Sequence, residues 1–291
     1  MGIKNEFVKG VDYRIRDSDE TYWGLHSIEY DVLGGNYFFL SSLTFSSKHL
    51  LTKSNGLGVT IWSRSLDYQT TYNSFQYSAI FRTLFYTLYE ELDSFVLAKV
   101  DSISGEYLES YHISGFYQTW YYHSCSLAKD ELVYYCNMHK TSGELGILRY
   151  NRKDSQIDIA IISSSPLNNL YGNSILGISS KEVLYGYRTA SPGKHHLVRA
   201  VFKESLSNDS KISLVERSHQ SILADTFRSG IAAKLDEKAE TVWHALVINH
   251  NLAYFQINLT DSSLVGAKHA SNTSEWPETH SFGINIHKGV V

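Results

Sequence analysis

The sequence predicts an all-β fold, a closed β-propeller of about six four-stranded blades, on three observations. Apolar and polar residues alternate over short runs, a degenerate hairpin returns roughly every fifty residues, and both ends carry strand-like segments. The 291 residues suit one large all-β domain spanning 1–291.

Composition supports this class. With 43% hydrophobic and 19% charged residues, the chain can bury enough apolar surface to offset its conformational entropy. Twenty-one Tyr and 13 Phe against three Pro and two Met favour pleated strands, where aromatic rings pack well.

The repeat is read from residues 11–27 (VDYRIRDSDETYWGLHS), which align without gaps on 50–66 (LLTKSNGLGVTIWSRSL), matching Arg14 with Lys53 and Trp23 with Trp62. The same hairpin outline returns at 95–111, 146–162, 197–215 and 254–270. A basic or amide residue marks each copy: Arg14, Lys53, Lys99, Arg149, Arg199 and Gln256, at steps of 39, 46, 50, 50 and 57. Asn55, Asp101, Asn151 and Asn258 follow two residues later, hence on the same face of an extended strand. Such a polar face fits a blade whose basic and amide groups bond across the interface with its neighbour. Between the hairpins a second strand pair completes each blade, as in 36–44 with 49–53, 124–127 with 132–138, 174–178 with 183–187 and 230–234 with 242–248. Turn residues such as Asn55-Gly56, Ser104-Gly105, Ser142-Gly143 and Pro192-Gly193 separate the strands. At the ends, residues 4–8 and a closing strand at 281–286 are expected to share one blade, with Phe282, Ile284 or Ile286 packed in it, which would lock the ring.

Residues 53–62 (KSNGLGVTIW) and 99–105 (KVDSISG) resemble the K-x-D-x-x-G-x-x-x-W hairpin of SBBP-type β-propeller repeats. That resemblance implies a repeat protein of the kind found in large exported assemblies. Asp101 and Gly105 are also similar to a quinoprotein propeller repeat, but the motif does not recur around the chain, so no quinone or other cofactor is expected.

Charge and motifs bound the function. A net charge of −4 and a pI near 6.3 carry no electrostatic signature for nucleic acid or an anionic membrane. No apolar run is long enough for a membrane span, the Ile157–Ile162 stretch being short and interrupted by Asp158. The opening residues 1–6 lack the apolar core of a signal peptide, so an export signal would lie outside this sequence. Cys125 and Cys136 fall opposite each other across a turn at Asp130-Glu131, and both a cross-hairpin disulfide and two reduced thiols stay open. No phosphate loop, nucleophile elbow, HExxH or paired CxxC occurs.

The thirteen His are scattered, and adjacent His195 and His196 would point to opposite faces of a strand, a poor geometry for one metal. Asp17, Asp19 and Glu20 read as a solvated turn rather than a calcium site. Glu90, Glu91 and His123 are the acid–base candidates for a central channel. Glycosylation sequons stand at Asn208 and Asn272, read as loops, and at Asn258, read as strand.

The leading expectation from motifs alone is a non-catalytic structural or protein-interaction propeller, self-assembling or partner-binding, with residues 117–122 (YQTWYY) as an adhesive patch. Alternatives are a glycan-binding or glycan-hydrolysing propeller and an intracellular scaffold. An extracellular or cell-surface location is favoured over the cytoplasm.

Overall fold

The computed structural model describes residues 23–272, apart from residue 32 and the connecting segments 44–47, 68–73, 91–93, 118–124, 141–143, 163–169, 190–193, 204–212, 224–231, 237–240, 249–250 and 259–262. Within them lie five antiparallel sheets. Blade one comprises β1 (Trp23–Asp31), β2 (Asn36–Leu43), β3 (Lys48–Asn55) and β4 (Thr60–Asp67). Blade two comprises β5 (Ser74–Ser78), β6 (Thr83–Glu90), β7 (Ser94–Asp101) and β8 (Tyr107–Ser114). After the two-residue β9 (Phe116–Tyr117), blade three comprises β10 (Cys125–Leu127), β11 (Val133–Lys140), β12 (Leu145–Asn151) and β13 (Gln156–Ile162). Blade four comprises β14 (Leu170–Gly177), β15 (Glu182–Thr189), β16 (Lys194–Lys203) and β17 (Ser213–Leu223), and blade five β18 (Ala232–Asp236), β19 (Thr241–Ile248), β20 (Asn251–Asn258) and β21 (Leu264–Asn272). Strand β9 pairs with the end of β11 that β10 leaves uncovered, through His139↔Tyr117 and Lys140↔Phe116.

First strands of successive sheets touch one another, β1 with β5, β5 with β10, β10 with β14 and β14 with β18. Each sheet therefore steps outward from a common axis in sequence order, which is a β-propeller. Arg14, the strand expected at 4–8 and the closing strand at 281–286 lie outside the described residues.

Burial explains the strand sequences. The inner-middle strands pack against a neighbouring blade on both faces, so they read as near-continuous apolar runs: Leu145–Tyr150 of β12 are all buried. The outermost strand β8 is largely exposed. Phe38, Leu40, Leu51, Leu84, Tyr86, Val96 and Ala98 fill the seam between blades one and two. Phe85, Leu97, Tyr134, Met138 and Leu148 fill the next, and Tyr135, Ile147, Val183, Val198 and Phe202 the one after. Each such Val, Leu, Ile, Phe or Met side chain contributes about 1.5–3 kcal/mol on burial.

Four of the expected hairpins, 50–66, 95–111, 146–162 and 254–270, fall on β3–β4, β7–β8, β12–β13 and β20–β21, and 197–215 falls on the start of β16–β17. Of the hairpin expected at 11–27 only residues 23–27 are described, and they do not take the place in the blade that 62–66 take. Trp23–Ser27 belong to β1, which pairs with β2 from Trp23↔Leu43 to Asp31↔Asn36 and opens a blade, whereas Trp62 lies in β4, which closes one. Alternation with period two fits any strand pair, so a matched Trp alone did not fix the position within the blade.

One turn tests the seam between the first two blades. Gly105 has φ +73°, and a β-carbon there would sit 2.8 Å from Cδ2 of Trp62 in blade one. Gly105→Ala should lower stability by about 1–3 kcal/mol through left-handed strain and overpacking together. A urea midpoint equal to that of the wild type would mean that Trp62 does not seat on this turn.

Candidate functional site

The marker residues of the repeat form a column across each blade. Lys53 pairs with Phe38 on one side and Trp62 on the other; Lys99 lies between Phe85 and Glu109, and Arg149 between Tyr135 and Asp158. Directly opposite residues on antiparallel strands share a face, so each triplet confronts the next blade as a unit.

What the unit does varies around the ring. Lys53 Nζ donates to Ser102 O at 2.9 Å, Trp62 Nε1 to the same oxygen at 3.3 Å, and Arg64 reaches Gly105 O and Ser104 O at 3.0 and 3.1 Å. Blade one thus holds the β7–β8 turn of blade two by its carbonyls. Lys99 pairs with Glu109, which also accepts from Tyr111 and, across the seam, from Tyr150 of blade three. Burial raises the Glu109 pKa, but those donors outweigh it and leave it below its ordinary value. Arg149 is bound by Asp158 through Nε at 2.8 Å and through Nη2, and its guanidinium lies 4.9 Å from the ring centre of Phe202 in blade four. Arg199 bonds Glu182, and Gln256 bonds Thr241, each within its own blade.

Among the described residues, left-handed non-glycine positions fall in the turns of blades two and three. Non-glycine residues with positive φ are Arg82 (53°), Glu131 (54°) and Ser155 (54°), one in each of the β5–β6, β10–β11 and β12–β13 turns. The left-handed turn at Glu131 aims its carboxylate into blade two, where it accepts from Ser78 Oγ at 2.7 Å and Ile80 N at 3.0 Å. Arg152 projects between these turns with its guanidinium 4.1 Å from Phe81 and 4.8 Å from Phe85. Its Nε and Nη2 are buried without a hydrogen-bond partner among the described residues. Burial pushes its pKa down to about 10, opposed by Tyr150, Glu131 and Glu109, so it remains a cation at neutral pH.

Chemically, this cluster binds blades together rather than activating water. Glu131, Glu109, Asp158 and Glu182 are each committed to the donors named above. A general base needs a lone pair directed at its substrate or a water.

The sequence candidates are dispersed. Glu90 ends β6, while Glu91, His123, Asn208 and residues 118–122 lie outside the described residues, as do Asp17, Asp19 and Glu20. His196 stacks on Tyr187 with centroids 4.7 Å apart. Asn258 ends β20, and Asn272, expected in a loop, is instead the last residue of β21, opposite Asn251. Cys125 pairs with Cys136 in register, and the two sulfurs are bonded. Among the described residues no helix is long and apolar enough to cross a membrane. Glu131, Arg152, Ser78 and Glu109 went unmarked in the sequence; for Glu109 the signal was present, as the residue directly across the hairpin from Lys99.

No family model and no curated protein matches this chain. Solved structures do. A candidate 6-phosphogluconolactonase from Bacteroides uniformis is 12% identical, with a TM-score of 0.55, and the match covers 90% of this chain and 74% of that one. The periplasmic gluconolactonase PpgL of Pseudomonas aeruginosa is 10% identical, with a TM-score of 0.54 over 85% of this chain and 70% of that one. The Dos1 propeller is 8% identical, with a TM-score of 0.52 over 87% of this chain and 61% of that one.

These likenesses correct the expectation of a non-catalytic structural or interaction propeller. That expectation rested on missing motifs, yet the same fold occurs in proteins named as lactonases. A propeller gathers its reacting groups from separate blades, so no contiguous motif is needed. What the likenesses establish for this chain is the fold, a β-propeller.

The β7–β8 turn allows a titration test. Asp101 Oδ1 accepts from Ile103 N, Ser104 N and Ser104 Oγ at 2.9, 2.7 and 3.0 Å. The Ser104 N–H leads in lowering its pKa below the ordinary 3.8, against burial and with help from Ser104 Oγ, Ile103 N–H and Lys53. A depressed folded pKa gives stability that is complete above 3.8 and lost as pH falls through the folded value. Asp101→Asn keeps the acceptor but does not titrate. Its urea midpoint should fall less steeply than that of the wild type below about pH 4, and parallel profiles would refute the role.

Proposed function

We propose that this protein is a propeller hydrolase that opens the ring ester of a sugar-acid lactone. The observation that carries the reading is the shared architecture over 85–90% of the chain with two proteins named as gluconolactonases. In the reaction water adds to the lactone carbonyl carbon, the ring C–O bond breaks, and the departing oxygen takes a proton, giving a hydroxy acid. The protein must position that water and stabilise the developing oxyanion. The hairpin Lys53–Trp62 further supports descent from an SBBP-like repeat, since both marker residues serve one carbonyl, Ser102 O.

The test is acid release from glucono-1,5-lactone and its 6-phosphate, followed by pH-stat against spontaneous opening. Acceleration proportional to protein concentration, at least about a hundredfold and still far under the usual enzymatic enhancement, is expected. No acceleration with either lactone would overturn the assignment.

We also infer an oxidising, extracytoplasmic location, supported by the bond between Cys125 and Cys136. Thiol titration of native-source protein in denaturant should find no free thiol. Two free thiols would remove this support.

A further inference from the structure

Blades two, three and four each pack one face on the blade before them, and the positions that do so share one register. Blade two turns Leu84, Tyr86, Ala98 and Val100 toward blade one. Blade three turns Tyr134, Cys136, Leu148 and Tyr150 toward blade two, and blade four turns Val183, Tyr185, Val198 and Ala200 toward blade three. All of these side chains are buried.

Blade one has Tyr37, Phe39, Thr52 and Ser54 at the same positions, paired as Tyr37↔Ser54 and Phe39↔Thr52. Here Tyr37, Phe39 and Thr52 are only half-buried, and Tyr30, opposite Tyr37 on β1, is 47% exposed. The rings form one strip, with centroids 4.7 Å apart for Tyr30 and Tyr37 and 6.2 Å apart for Tyr37 and Phe39. A continuous aromatic strip, at positions that are dry in three other blades, is a face built to be covered. In those three blades the cover is the forward face of the preceding blade, as Phe38 and Leu40 cover blade two.

Topology fixes which part of the chain can supply that cover here. Strands run outward from the axis in chain order in every described blade. A blade preceding blade one therefore has its outer strands just before Trp23, and its axial strands follow β21 of blade five. Those stretches are residues 1–22 and 273–291, which lie outside the described residues and together are as long as blade two from Ser74 to Ser114. Both carry strand patterning: Val11, Tyr13 and Ile15 alternate with Asp12, Arg14 and Arg16, and Phe282, Ile284 and Ile286 alternate with Gly283 and Asn285.

We propose that residues 1–22 and 273–291 jointly build a sixth blade over this face, the second stretch supplying its axial strands and the first its outer ones, with Phe282, Ile284 and Ile286 closing on Tyr37 and Phe39. Trp23–Ser27, which the repeat assigned to the same blade, are used in β1 of blade one. The carboxy-terminal stretch must then bring more than a single closing strand to a four-stranded blade. Tethered to blades one and five, the two stretches meet the face at a high effective concentration, an advantage that a separate partner lacks.

The experiment is short-spacer lysine cross-linking of the unaltered chain, combined with hydroxyl-radical footprinting and light scattering over a range of protein concentration. Links from Lys4 or Lys9 to Lys288 within the monomer are expected, with none from Lys288 to Lys140 of blade three across the ring. Tyr37 and Phe39 should be protected in the monomer. The pair Phe282→Asp and Ile284→Asp should raise their oxidation several-fold while Tyr150, in the seam between blades two and three, stays protected. If that pair unfolds the whole chain, Tyr150 is oxidised as well, and the cross-links and footprint of the unaltered chain decide the matter. Terminal links that are missing or that reach Lys140 instead would overturn the proposal. So would a footprint of Tyr37 and Phe39 that is indifferent to the pair in a folded chain, or protection that appears only on dimerisation, because the face would then belong to a second copy.

Discussion

The architecture depends on how one sheet is fastened to the next, and the bond from Lys53 to Ser102 O shows the constraint most directly. A propeller blade is a small sheet with two buried faces, and apolar packing alone leaves it free to slide along its neighbour. A buried ammonium removes that freedom, since its desolvation is offset only where a fixed acceptor meets it. Trp62 fills the remaining space over Gly105 and shares the same carbonyl. Later seams solve the same problem with other groups. Glu109 takes a hydroxyl across the seam, and Arg149, already neutralised by Asp158, is stacked on Phe202. The column position is kept while its chemistry drifts.

That drift explains what could be read from the sequence. Lys53, Lys99, Arg149, Arg199 and Gln256 stand out because a basic or amide residue inside an apolar strand demands a partner, and all five lie on third strands of blades. The Cys125–Cys136 register was legible because hairpin pairing is fixed by the turn, even though the loop is longer than a two-residue turn, with Ala128 N bonded to Val133 O. Trp23 misled for the complementary reason: a single ring matched in identity says nothing about which strand of four carries it. Arg152 and Glu131 were invisible, because their roles arise from left-handed turns in separate blades and from Phe81 and Phe85, none of which is local in sequence.

The same non-locality governs function. A motif search succeeds when reacting groups are neighbours along the chain, as on a helix turn or a phosphate loop. Here each blade can place only a few side chains near the axis, so any reactive constellation is assembled by the ring and leaves no contiguous trace. Absence of a motif in this fold carries little weight, whereas the state of individual carboxylates carries more. Glu131, Asp158 and Asp101 have donors arranged around them that hold each carboxylate in place. Such groups are anchors, and identifying them as anchors narrows where a base can be.

Turns between paired strands are short and satisfy their own backbone through Asp, Asn or Ser, which frees the tip residue from any structural duty. Two residues past the strand end the chain then carries exposed Leu33, Leu57, Ile80 and Ile103 in blades one and two and exposed Lys153 in blade three, a change that leaves the core untouched.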